Sequence, residues 1–99
     1  MTDTSTASRT LQLPEVLDLP AAGPLAKTLV ESRGANVVID ASSVQRVGAQ
    51  CIQVLLSAAS AWTSDGLSLA IVNRSQAFAE GLQILGISAD AFSEGGAQQ

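Results

Sequence analysis

Two short apolar runs, separated by one long helical segment, constrain this chain more than any other feature. Asn36-Val37-Val38-Ile39-Asp40 is β-branched at its centre, with Gly34 before it and Ser42-Ser43 after it. A continuous apolar strand of this kind is usually covered on both faces and therefore central in its sheet. Leu67 to Val72 is a second such run. Ala49 to about Ser64 lies between them and reads as a helix, closed by Asp65-Gly66. Strand, helix and strand in that order are most simply joined by a parallel crossover, which predicts an α/β protein.

The flanking segments extend the same pattern. Thr10-Leu11-Gln12-Leu13 alternates apolar and polar, and Val16-Leu17 follows across Pro14. Proline cannot donate to a ladder, so this N-terminal piece is expected at a sheet edge, as an antiparallel strand. From Asp18 to Arg33 the apolar residues Ala22, Leu25, Ala26, Leu29 and Val30 recur at helical spacing, with Lys27, Glu31 and Arg33 off that stripe. Pro20 suits a first turn and Gly34 a stop, while Pro24 fits best if the helix begins near Gly23. Ser75 is expected to cap a third helix with Phe78, Leu82 and Leu85 on one face. Ile87 and Phe92 should tuck a last turn against the core. The expected fold is a mostly parallel central sheet of about four strands with an antiparallel N-terminal edge, flanked by three to four helices. Residues 9–92 form one domain in this reading, between disordered tails at 1–8 and 93–99.

Composition removes several function classes. The chain has 99 residues, 46% of them hydrophobic but only 3% aromatic, so Val, Ile, Leu and Ala must build the core. Net charge is −4, and the five basic residues (Arg9, Lys27, Arg33, Arg46, Arg74) form no run. Nucleic-acid binding normally needs a basic stripe, so no such partner is expected. There is no histidine, and Cys51 is the single cysteine. That excludes an internal disulfide, a Cys- or His-based metal site and His-activated nucleophiles, so no metal and no cofactor are expected. The first residues lack the basic and apolar regions of a secretory signal, and the most apolar stretch, Val47 to Trp62, is broken by glutamines and serines. A cytoplasmic chain without membrane insertion is expected.

The second helix carries the most information. Gln50, Gln53, Ser57, Ser60 and Ser64 fall on one line, while Ile52, Leu55, Leu56, Ala59 and Trp62 should face the sheet. Solvated faces are normally rich in charge; this line has none. Depletion of charge marks the cores of protein interfaces, which makes the line a candidate docking face.

The stretch from Val37 through Asp40-Ala41-Ser42-Ser43-Val44-Gln45-Arg46-Val47-Gly48-Ala49-Gln50-Cys51 to Leu55-Leu56 resembles the signature of STAS domains (sulfate transporter and anti-sigma factor antagonist). In that signature a strand ends in Asp, and an Asp-Ser-Ser-Gly-Leu then opens a helix. Leu82-Gln83-Ile84-Leu85-Gly86-Ile87 with Phe92 is similar to the family's closing Leu-x-x-x-Gly-Leu and trailing Phe, and Leu17-Asp18 to its Leu-Asp before the first helix. The resemblance runs from about Leu11 to Phe92. It implies a non-catalytic domain that binds a protein partner such as a signalling kinase or anti-sigma-like protein, through Gly48, Ala49, Gln50, Gln53 and Ser57. The Cys-Ile-Gln-Val-Leu-Leu and Ala-Trp segments are similar to stand-alone bacterial STAS proteins of chemotaxis and two-component clusters.

One departure bears on mechanism. In the antagonists of this family a serine at the mouth of the helix is phosphorylated, where free N–H groups and the helix dipole favour an anion. Gly48 stands at the family's Asp, Ala49 at its phosphorylated Ser, Gln50 at its second Ser and Cys51 at its Gly. The usual switch therefore has no hydroxyl to act on. Ser42 and Ser43 are the nearest remaining candidate phosphosites, with turn formation the expected role of Ser42. Asp40 is expected to order the loop by accepting N–H bonds. The alternatives are the STAS subunit of an ABC-type lipid transporter, docked on the ATPase, and a thiol phosphocarrier using Cys51 near a helix N-terminus. The uncharged face is equally open to self-association.

Overall fold

The computed structural model describes residues 8–88 and 91–92. In chain order the elements are β1 (Ser8–Gln12), β2 (Val16–Leu17), α1 (Leu19–Glu31), β3 (Asn36–Asp40), β4 (Arg46–Val47), α2 (Ala49–Ser64), β5 (Leu69–Val72) and α3 (Gln76–Ile84). The main sheet has three strands in the order β1-β3-β5, and β2 and β4 form a separate two-stranded ladder. The expected tails lie outside the described residues except for Ser8, which opens β1.

Among the described residues all strand pairs are parallel, which corrects the expected antiparallel N-terminal edge. β1 does lie at an edge, but Ser8 pairs with Asn36 and Gln12 with Asp40 in parallel register. The reason is α1. This helix carries the chain back to the start of the sheet, so β3 runs in the same direction as β1. β3 is central, as its apolar run predicts. The fourth strand expected in the sheet is β2, and it pairs instead with β4.

Both crossovers step the same way across the sheet, so α1 and α2 share one face and pack against each other. Val37 and Ile39 of β3, aligned with Leu69 and Ile71 of β5, belong to the core cluster with Leu25 and Leu29 of α1 and Ile52, Leu55 and Trp62 of α2. α3 lies against β4 and adds Phe78 and Leu82, and Phe92 is buried beside them in the same cluster. Leu85 ends α3 exposed instead of lining its inner face.

Local chemistry explains the helix ends. α1 starts at Leu19, earlier than Gly23, so Pro24 lies within it. Its missing N–H faces the Pro20 carbonyl one turn back, which leaves a single early bond unmade. Ser32 ends the helix, its buried hydroxyl donating to the Thr28 carbonyl at 2.9 Å, and Gly34 follows at φ +96°. Ser75 caps α3 as expected, accepting from Phe78 N–H at 3.1 Å.

Candidate functional site

The start of α2 is held by short ladders on both sides. β4 is clamped to β2 (Val16 with Arg46, Leu17 with Val47), and the Gln45 and Arg46 N–H groups both donate to the Glu15 carbonyl. Gly48 is the N-cap; its N–H donates to the Leu17 carbonyl at 2.8 Å. Two residues upstream of β4, the Val44 carbonyl accepts the Ser75 hydroxyl at 2.6 Å, tying this loop to the head of α3. The mouth of α2 is therefore a fixed platform. Nothing in its backbone requires glycine at 48: φ is −106°, and an added Cβ would meet only the Leu17 carbonyl at an ordinary 3.5 Å. The residue is an absence of charge rather than a conformational need.

Ala49, Gln50, Gln53 and Ser57 are all exposed and Gly48 is half-buried, so the structure brings the candidate docking residues together on one edge of α2. Gln50, Gln53 and Ser57 also form one wall of a groove of about 450 Å³ between α1 and α2, floored by Leu29, Ala58 and Trp62. Its opposite wall is Ala22, Ala26 and Val30. The helical period assigned Val30 to the core, but α1 turns it outward into this rim. At the far end Arg33 bonds Asp65 at 2.8 Å and sits 5.6 Å from the Trp62 ring centre. Sequence reading missed that cluster, because three residues from different turns carry no shared spacing.

The loop after β3 is built on Asp40. One carboxylate oxygen accepts the Ser42 hydroxyl at 2.6 Å and the Ser42 N–H at 2.8 Å; the other accepts the Asn73 amide at 3.1 Å. These donors, the Ser42 hydroxyl foremost, hold its carboxyl below the usual range. Ser43 accepts from the Gln12 amide at 3.1 Å. Both candidate phosphosites are thus tied into the turn.

The family model described as "Mlab, STAS domain" matches residues 1–91 of the chain. This chain belongs to the STAS family. No curated protein matches the chain.

In this STAS domain Cys51 is fully buried, and its thiol donates to the Asp18 carbonyl at 3.3 Å. Desolvation, with the Asp18 charge adding to it, pushes the thiol pKa up. A phosphocarrier needs an accessible thiolate, so the structure contradicts the reactive reading of Cys51. Among the described residues no group of three or more His, Cys, Asp or Glu is placed to hold a metal ion, and no helix is long and apolar enough to cross a membrane.

Proposed function

We propose that this STAS domain is a non-catalytic regulatory module that docks a bacterial signalling protein on the start and exposed edge of α2, without a phosphoserine switch. The observation that carries the reading is Ala49, exposed at the first position of α2 where the resembling antagonists place their phosphorylated serine. Gly48, Ala49, Gln50 and Cys51 offer no hydroxyl there. The rigid ladder beneath them presents an uncharged edge formed by Gln50, Gln53 and Ser57. A partner fitted to that edge binds constitutively. A second reading, a subunit docked on the ATPase of an ABC-type lipid transporter, uses the same surface and is favoured by the same missing hydroxyl; it differs in the identity of the partner.

A photo-cross-linking residue at Gln53 in native cells identifies the partner, and Ala49→Asp then tests the surface against that purified protein. The helix dipole tolerates an acid at this position, so the melting temperature should hold. A desolvated, unpaired carboxylate in the interface should cost about 2–5 kcal/mol, a loss of roughly thirtyfold or more in affinity. Unchanged affinity places the binding surface elsewhere. Intact-mass analysis of protein from its native cells should also show no phosphate; stoichiometric phosphate on Ser42 or Ser43 would mean that the switch has moved to the Asp40 loop.

A further inference from the structure

The main sheet is open along one side. Its two outer strands are β1 and β5. β5 is shielded, with Leu69, Ala70 and Ile71 all buried. β1 is not: Ser8, Arg9, Thr10 and Gln12 are exposed. One bond sets the direction of its backbone groups. The Leu13 N–H, just past the strand, donates to the Asp40 carbonyl of β3 at 3.0 Å. Backbone groups alternate sides along a strand, so Arg9 and Leu11 also point to β3, while the N–H and C=O of Thr10 and Gln12 point away from it. Among the described residues no strand meets them. A row of outward donors and acceptors is a template for another peptide backbone.

The side chains beside this edge say what that backbone must carry. Leu11 is the register partner of Ile39, a core residue, and packs against the same cluster, so it faces the helices. Arg9, two residues earlier, shares that face. A cavity of about 350 Å³ lies between β1 and α1, lined by Leu11 and Leu13, by Pro24, Leu25 and Thr28 of α1, and by Ile39. It has the size and apolar character of a ligand pocket. Arg9 is exposed, and among the described residues it has no carboxylate within ion-pair distance. In an antiparallel pairing Thr10 exchanges both hydrogen bonds with the residue opposite. Arg9 and Leu11 then stand at the non-hydrogen-bonded positions, where facing side chains come closest. An apolar side chain opposite Leu11 enters the cavity, and an acid two residues later meets Arg9.

The geometry points to β1 as a docking strand for an extended peptide of a partner protein, added antiparallel, with the pattern apolar-x-acid opposite Leu11, Thr10 and Arg9. Main-chain bonds hold the peptide, and the cavity and Arg9 select its side chains. This contact lies away from the α2 edge and does not rest on the function proposed for it.

The probe is the peptide acetyl-Thr-Thr-Leu-Thr-Glu-Thr-Thr-amide, titrated into the full chain and followed by amide shifts and hydrogen exchange in NMR. The Thr10 and Gln12 amides should exchange rapidly in the free protein and slow roughly tenfold or more at saturating peptide. N-methylation of the central Thr removes one main-chain bond and should weaken binding roughly tenfold, with no change to the protein. Thr10→Pro removes the outward N–H and leaves the β3 ladder intact, so the variant should fold and lose the peptide. Arg9→Glu should weaken this peptide and favour one with Lys in place of its Glu. Ala49→Asp should bind the peptide as wild type does, even where it abolishes the contact at α2. Three results would each overturn the inference. They are an unmoved β1 at millimolar peptide, equal binding of the N-methylated peptide (the cavity acting alone), and protection of Thr10 and Gln12 already present in the free protein, from the chain's own first residues or a second copy.

Discussion

Gly81 sits where α3 crosses β4, and a methyl group added there would collide with Val47 Cγ1. Alanine is the better helix former by about 1 kcal/mol, but overpacking costs about 1–3 kcal/mol. The collision is with a side chain that has a single torsion to yield, so the clash should win. Gly81→Ala should lower thermal stability by a few degrees, and Val47→Ala added to it should restore part of the loss; a more stable single variant would show that β4 gives way freely. Asp40 poses a different question at the same scale. Its folded carboxyl is held below the ordinary 3.8 by the Ser42 hydroxyl, the Ser42 N–H and the Asn73 amide. A group with a depressed folded pKa contributes stability that is complete above its unfolded pKa and lost as pH falls through the folded one. Wild-type protein should therefore exceed Asp40→Asn in urea midpoint at neutral pH, and the gap should close below pH 3.8. A gap that is constant with pH would remove the carboxylate charge from the account.

At the scale of elements, strands and helices were legible where local chemistry and tertiary packing agree. β3 and α2 have the boundaries their punctuation predicts, because Gly34, the Ser42-Ser43 turn and Asp65-Gly66 act locally. α1 was less legible. Its stripe of five apolar residues is wider than the sheet and α2 can cover: Leu25 and Leu29 are buried, while Val30 stands in solvent. Periodicity reports that a face is apolar, not which neighbour meets it, and here the surplus became the groove wall. β2 and β4 were invisible as a pair for a related reason. Two-residue strands have no period to read, and only the fold brings Val16 and Leu17 beside Arg46 and Val47. The proximity of the candidate docking residues is legible for a simpler reason: Ala49, Gln50, Gln53 and Ser57 lie on one helix with Gly48 as its N-cap, and helical spacing alone gathers them.

For the molecule as a whole, the α/β class followed from the order of elements, but the direction of the first strand did not. Proline placed the N-terminal segment at an edge, and an edge strand can run either way; α1 as a crossover decides it. The all-parallel topology has a further consequence, in the time it takes to fold. Each main-sheet pairing joins residues about thirty positions apart, Ser8 with Asn36 and Val37 with Leu69, and among the described residues no hairpin is available as a local nucleus. Loop-closure entropy must be met before either pairing contributes, which slows folding relative to a helical bundle of equal length. On an emerging nascent chain β1 has no partner until α1 and β3 have left the ribosome, and β5 completes the sheet later still. The N-terminal strand therefore waits exposed longest, in a segment whose only large apolar side chain is Leu11.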